Sequence, residues 1–188
     1  MDEPTELKPD KPIVYLMRGL PSCGKSTRAI ELAGEHGVIC ETDEFFYTQV
    51  GPDDSQYDYQ MDLMDQAREW NFHRFCEAID TSHSPIVVDR GNAISAESFR
   101  YAEKATVAGY QVKIAEPTSS WWAEIRELLA DKPRSLPQLY DWAQRLSRMN
   151  RNTHRVPAHR IRHWIDRWQS DITAQDILNF KSHKSTVQ

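Results

Sequence analysis

The sequence has few cysteines and no long apolar run, and both absences exclude classes of protein. Among 188 residues there are three cysteines, Cys23, Cys40 and Cys76, an odd number without the spacing of zinc ligands. They predict a reduced, cytoplasmic protein without structural zinc. No apolar stretch approaches the roughly 20 residues that cross a bilayer, so we expect no membrane partner.

The two ends of the sequence have little of the apolar character of a folded core. Residues 1–11 are acidic and proline-rich, the wrong chemistry for a signal peptide. We expect a flexible leader at 1–11, one domain at 12–180 and a flexible tail at 181–188.

Charge is divided unevenly along the chain. Residues 1–119 carry 11 basic and 21 acidic side chains, whereas residues 120–188 carry 12 basic and 7 acidic ones. Seven arginines fall within 145–167, against the single acid Asp166. A solvated helix face is one interpretation of this cluster, and a clamp on polyphosphate or nucleic acid is the other.

Strand and helix patterns alternate over the first two thirds of the chain. This alternation predicts an α/β fold with a mainly parallel sheet of four or five strands and helices on both faces. A polar, turn-rich loop is predicted at 47–60. The predicted strands are 13–19, 37–41, 84–89 and 110–116. The predicted helices are about 25–37, 61–80, 95–109, 119–130, 137–150, 157–169 and 173–180.

The stretch GLPSCGKS at 19–26 fits the phosphate-binding pattern G-x-x-x-x-G-K-[ST] in full. It follows a predicted strand and opens a predicted helix, so its backbone N–H groups and the helix N-terminus would face an anion. Lys25 is expected to contact the β- and γ-phosphates, and the Ser26 hydroxyl to bind Mg²⁺. The predicted nucleotide-binding residues are Gly19, Leu20, Pro21, Ser22, Cys23, Gly24, Lys25, Ser26 and Thr27.

Acidic residues follow the second and third predicted strands, where ligands of open parallel sheets bind. Asp43 follows the second strand, and we expect it to accept a proton from an acceptor hydroxyl. Asp89 ends the third strand, and we expect it to orient Mg²⁺ with Ser26. The alternatives are a helix N-cap for Asp43 and a capping or loop acid for Asp89.

Four segments, MRGLPSCGKST, ETDEFF, IVVDRGN and NRNTHRVPAHRI, resemble the P-loop kinase domain of bacteriophage-type polynucleotide 5′-kinases and related AAA-type kinase-like proteins. The resemblance covers residues 12–169. It implies that Asp43 is the general base, that Lys25 and Ser26 contact phosphate and metal, and that Arg151 reaches the donor phosphates from a helical, arginine-rich lid. Asp89 and Asn92 match the D-x-x-N segment of that family.

The sequence departs from this family at the acceptor side. The family has an arginine three residues after its catalytic aspartate, for the acceptor phosphate, and here that position is Phe46. Phe46 and Tyr47 would stack on a base or simply pack, and Arg90 would replace the missing charge. The segment 131–155 is predicted as a lid or an acceptor-recognition insert. His154 is expected to organise the turn before Pro157.

These features predict a kinase that uses ATP or GTP with Mg²⁺. Lys25, Asp43 and Arg151 are the expected catalytic residues, with Arg148 or Arg155 beside Arg151 on the donor. The expected acceptor is the 5′-hydroxyl of a polynucleotide (RNA or DNA) or a nucleotide. A small-molecule kinase of the same fold and a nucleotide-binding ATPase or switch module are the alternatives.

Overall fold

A computed structural model describes residues 11–51, 54–91, 95–151 and 154–180. The predicted tail, nearly all of the predicted leader and the predicted acceptor residue Asn92 lie outside the described residues. Within the described part the strands are β1 (Ile13–Met17), β2 (Val38–Glu41), β3 (Tyr47–Gly51), β4 (Asp54–Tyr57), β5 (Ile86–Asp89) and β6 (Gln111–Ala115).

Helices fill most of the remaining described chain. Short 3-10 turns, Thr42–Phe46 and Met61–Leu63, precede the hairpin and the second helix. The α-helices are α1 (Lys25–Ala33), α2 (Met64–Asp80), α3 (Ala96–Val107), α4 (Ser120–Ala130), α5 (Lys132–Met149), α6 (Ala158–Asp166) and α7 (Ala174–Leu178).

Four strands form one parallel sheet in the order β2-β5-β1-β6. Its strands are apolar because both faces are covered. On one face Val14, Leu16 and Val88 pack with α2, α3 and α7, and on the other Met17 and Val87 pack with α1. The predicted α/β class, parallel sheet and two-sided helix packing are confirmed.

The prediction of a loop at 47–60 is wrong, because β3 and β4 form an antiparallel hairpin there. The segment lacks the apolar alternation that normally marks strands. The pairing of Tyr47 with Tyr57, whose rings lie 5.1 Å apart, supplies the cross-strand contact.

The helix predicted at 137–150 starts earlier than expected, because α5 begins at Lys132. Pro133 lies in its first turn, where a missing N–H costs nothing. Leu139, Trp142 and Leu146 are buried against α4 and α6, so most of segment 131–155 is part of a helical core.

Among the described helices, none combines the length and apolarity that crossing a membrane requires.

Candidate active site

The carboxyl ends of β1, β2 and β5 open into a cleft of about 1960 Å³. In the strand order β2-β5-β1-β6, the chain leads from β1 to β2 in one direction across the sheet and from β5 to β6 in the other. Ligands of such sheets bind at the carboxyl edge where the direction reverses. The P-loop, the strand-end acids, the hairpin β3–β4 and the connection from α5 to α6 all contribute to its lining.

The P-loop is held by side chains from the start of α4. The Ser119 hydroxyl donates to the carbonyl of Cys23 at 2.8 Å, and Trp121 Nε1 donates to the carbonyl of Ser22 at 3.0 Å. Because a trans peptide directs its carbonyl and its N–H to opposite sides, these bonds turn the following N–H groups away from α4. Neither contact follows from a local pattern in the sequence, because about 100 positions separate the partners.

At two positions of the P-loop the structure favours glycine over other residues. Gly24 has a φ of 90°, a left-handed conformation that glycine adopts without a Cβ penalty. A Cβ on Gly19 would lie 2.9 Å from the ring of Pro117 and 3.2 Å from the Lys25 side chain. The loop is therefore closely packed on both sides.

The predicted nucleotide-binding residues divide into two groups. Leu20 and Cys23 have fully buried side chains in the helical core with Trp122, so they anchor the loop. Burial raises the pKa of Cys23 to about 12, which keeps the thiol protonated. Gly19 is also buried. The residues of the second group line the cleft, and they are Pro21, Ser22, Gly24, Lys25, Ser26 and Thr27.

Carboxylates at the ends of neighbouring strands lie close together in the cleft. Glu41 and Asp89 are neighbours across the β2–β5 ladder. Burial, together with the charges of Asp89 and Asp43, raises the pKa of Glu41 to about 7. Asp89 is buried, and its Oδ2 has no hydrogen-bond partner within the described chain. Such an excess of carboxylate fits a divalent cation, which the Ser26 hydroxyl in the same cleft would share.

No cluster of three histidine, cysteine or acidic side chains with metal-binding geometry occurs in the part of the chain that the structure describes. P-loop magnesium takes much of its coordination from phosphate and water rather than from protein carboxylates. The fit to a cation therefore rests on Asp89 and Ser26 and needs no such cluster.

Asp43 lies in the 3-10 turn after β2 and lines the cleft. Its turn is anchored by the buried Asn71 of α2, which donates to the Thr42 hydroxyl at 3.3 Å and to the carbonyl of Cys40 at 3.4 Å. Burial raises the pKa of Asp43, and positive charge on His154, Lys25 and Arg90 opposes that rise.

Phe46 is buried at 3% exposure within an aromatic cluster, in edge or tilted contact with Phe45, Tyr57 and Tyr59. Of the two expectations for it, packing is the one that this position fits. Tyr47 is exposed and packs on Tyr57, and it does not belong to the cleft lining. The aromatic residues that do line the cleft here are Tyr57 and Tyr59.

Arg90 lines the cleft beside Asp89. Its guanidinium pairs with Glu97 of α3 at 2.7 Å, and burial lowers its pKa. Arg68 of α2 also lines the cleft and pairs with Asp65 at 3.0 Å. Both arginines that line this part of the cleft therefore have a carboxylate partner.

Arg148 and Arg151 lie outside the main cleft. They line a second cavity of about 550 Å³ together with Gln144, Ser147 and Arg155. Arg155 lines both cavities. Arg160, on the first turn of α6, lines the main cleft. Arg148 and Arg151 therefore lie outside the cleft that Lys25 lines, whereas Arg160 and Arg155, the expected alternative to Arg148, line it.

The chain is similar to a known protein family and to a known human protein. A family model described as AAA domain matches residues 14–169 of this chain. The human protein NEDD4-binding protein 2 (Homo sapiens) is 28% identical over 169 residues, which are 89% of this chain and 8% of that protein. The chain therefore spans only a small part of the length of this relative. Neither match tests the narrower resemblance to bacteriophage-type polynucleotide kinases, which stays a prediction.

Proposed function

The chain belongs to the AAA domain family, as a nucleotide-binding P-loop domain of kinase-like character, and on this premise we propose that it transfers the γ-phosphoryl group of ATP to a hydroxyl acceptor. The preferred acceptor is the 5′-hydroxyl of a polynucleotide or nucleotide. GTP is the alternative donor.

The main support for the proposal is that a base and a phosphate-binding lysine share one cleft. Asp43 and Lys25 both line it, and the charge of Lys25 opposes the rise that burial gives the pKa of Asp43, so the two groups are close. A P-loop that only bound nucleotide would not need a carboxylate in this place. A kinase needs such a group to receive the acceptor proton.

In the proposed step the acceptor O–H bond breaks and its proton passes to Asp43, while the acceptor oxygen bonds to the γ-phosphorus. The bond from that phosphorus to the β,γ-bridging oxygen breaks, and ADP leaves with the electron pair. Lys25 and the P-loop N–H groups hold the β- and γ-phosphates in line with the acceptor.

Magnesium would be held by the Ser26 hydroxyl and by Asp89, directly or through water. When bound, it neutralises charge on the donor phosphates. The unpartnered Asp89 Oδ2 supports this assignment.

Arginine would neutralise the charge of the transferring group. Arg155 and Arg160 already line the cleft, which supports a direct role for them. The predicted role of Arg151, with Arg148, requires the connection from α5 to α6 to turn toward the P-loop when the donor binds. Lid closure of this kind is common in phosphoryl transfer enzymes.

The lining of the cleft supports a nucleic acid acceptor. Its volume of about 1960 Å³ leaves room for a nucleoside triphosphate and an acceptor together. Tyr57 and Tyr59 offer surfaces on which a base would stack. Arg90, and Asn92 from the family pattern, would contact the acceptor backbone.

A small-molecule kinase is the second candidate, and a specific observation favours it. The position that carries an arginine in polynucleotide kinases is the buried Phe46, and the acceptor side adds the acids Asp58 and Asp65 to the lining. A small neutral hydroxyl compound would tolerate this charge better than a phosphodiester chain.

Label transfer from γ-labelled ATP to 5′-hydroxyl RNA and DNA oligonucleotides tests the proposal. The same oligonucleotides with a 5′-phosphate are the control, because they lack the acceptor group. We expect labelling of the 5′-hydroxyl strands only, with affinity that falls steeply as salt rises. If a panel of sugars and nucleosides is labelled with little salt dependence and no oligonucleotide is, the small-molecule alternative is correct. If ATP binds and no acceptor of either kind is labelled, the kinase proposal fails.

A further inference from the structure

In the α5–α6 connection (residues 150–151 and 154–157), His154 lies beside Asp43, the proposed base. His154 Nδ1 lies 3.5 Å from Asp43 Oδ2. This is within ion-pairing distance but longer than an ordinary hydrogen bond, and apo contacts of this kind often tighten when substrate binds. The Nδ1 atom is buried and has no hydrogen-bond partner among the described residues.

The histidine is held in this place from two sides. The ring of Tyr57 meets the imidazole edge-on, with centroids 5.3 Å apart and planes at 90°. The buried Asn150 fixes the backbone that follows, because its Oδ1 accepts the N–H of Val156 at 2.6 Å and its carbonyl accepts the N–H of Arg155 at 2.9 Å. The orientation of His154 is therefore set by the fold.

We propose that His154 is a positioning residue for Asp43: its Nδ1 binds one carboxylate oxygen, so that the other oxygen faces the acceptor hydroxyl. This inference rests on the proposed function, in which Asp43 is the base.

The charges around Asp43 explain why such a partner is needed. Lys25 faces it from α1, but that cation is also the predicted phosphate ligand. Arg90 faces it from the end of β5 and is already paired with Glu97. Unlike Lys25 and Arg90, His154 is assigned neither to the donor nor to a described carboxylate other than Asp43. The negative charges near Asp43 are those of Asp89 on β5 and Glu41 on β2. The charge of Asp43 in turn contributes to the raised pKa of Glu41.

Three substitutions at residue 154 separate the effect of the position of the side-chain nitrogen from the effect of the imidazole charge. His154→Asn places an amide nitrogen where Nδ1 lies, whereas His154→Gln places it near Nε2, and His154→Ala removes both. His154 is one-third exposed, so all three should fold. We expect kcat to fall about 10- to 100-fold in the Ala and Gln variants, with KM for ATP within about twofold of wild type. The Asn variant should recover most of that loss.

The pH dependence gives a readout that a merely structural role would not move. A protonated imidazole lowers the pKa of Asp43, so its removal raises that pKa. The acid limb of the kcat profile should therefore move to higher pH in all three variants, including the Asn variant that keeps activity. Equal kcat and an unmoved acid limb in the Ala and Gln variants would overturn the proposal.

A measurement without substrate separates this inference from the proposed function. Carbon-13 NMR titration of the Asp43 carboxyl, in nucleotide- and magnesium-free protein, should show a higher pKa in His154→Ala than in wild type. If that shift occurs and no acceptor is ever phosphorylated, the pairing stands and the proposed function fails. If transfer is robust and needs Asp43, yet neither the titration nor kcat changes in the His154 variants, the inference itself fails.

Discussion

The wall of the cleft that carries the P-loop differs from the wall that carries Asp43 in how its residues are held. The donor wall is residues 19–27 with Ser119 and Trp121, and it follows directly from β1. Its anchors are buried side chains, Leu20 and Cys23, and hydrogen bonds to backbone carbonyls.

The acceptor wall is the 3-10 turn Thr42–Phe46, the hairpin β3–β4 and the α5–α6 connection. Side chains that are distant in sequence join these three segments. Asn71 fixes the start of the turn, Phe46 packs on Tyr57 and Tyr59, and His154 contacts Asp43.

Substitutions in the two walls should therefore have different effects. If the proposed function is correct, changes in the donor wall should alter donor binding, because the loop backbone would form the phosphate site. Changes in the acceptor wall should then alter turnover while donor affinity stays the same, because their contacts would reach only Asp43 and the acceptor.

The largest expected effect comes from Lys25→Met in the donor wall. Its ammonium is expected to contact the β- and γ-phosphates in the transition state, so transfer should fall by about 10³-fold. In the nucleotide-free protein Lys25 Nζ donates to the carbonyl of Leu20, at 3.1 Å, and loss of this single bond should change the melting temperature little. Steady-state transfer and thermal melting measure the two quantities. A variant with more than a tenth of wild-type transfer would contradict the assignment.

A smaller effect is expected from Gly19→Ala, which tests the close packing of the donor wall. The new Cβ would lie 2.9 Å from the rigid ring of Pro117, so the loop must shift. We expect ATP affinity to fall about 10- to 100-fold. Calorimetric titration with ATP measures it. Gly109→Ala, at the turn between α3 and β6 where the glycine has a φ of 85°, is a control for backbone strain away from the site. Equal losses in both variants would point to a general folding defect instead.

The smallest expected effect is on the stability of the protein, and it comes from Glu41, one of the acids between the two walls. The raised pKa of Glu41, about 7 against an ordinary 4.5, means that the folded protein holds this proton more tightly than the unfolded chain. Stability should therefore fall as pH rises from about 4.5 through 7. In metal-free protein Glu41→Gln should stabilise by about 1–2 kcal/mol at pH 8 and by almost nothing at pH 4.

Thermal melting of Glu41→Gln and wild type across this pH range measures the difference. Glu103→Gln makes the same chemical change on the exposed face of α3 and should show no such pH dependence. A stabilisation of Glu41→Gln that is the same at pH 4 and pH 8 would contradict the electrostatic explanation.

The two walls also differ in how far the sequence predicts them. The P-loop is a local motif between a strand and a helix, so the sequence alone assigns Lys25 and Ser26 to it. Asp43 and Asp89 could be predicted to lie near it because parallel strands end at one edge of the sheet.

The acceptor wall could not be predicted in the same way. The hairpin has few apolar residues, so its pattern is that of a loop. The sequence leaves both stacking and packing open for Phe46, and the structure buries it against Tyr57 and Tyr59, whose positions depend on that hairpin. The contact of His154 with Asp43 joins residues more than 100 positions apart, which no local pattern encodes.

The proposal that Asp43 serves the acceptor and not the donor can be tested by measuring ATP affinity and label transfer together in Asp43→Asn. Asp58→Asn, another acid that lines the cleft, is the matched control. We predict that Asp43→Asn binds ATP within about threefold of wild type and loses at least about 10²-fold in transfer to a 5′-hydroxyl oligonucleotide. Transfer at the wild-type rate, or a loss of ATP binding equal to the loss of transfer, would show that Asp43 is not the base.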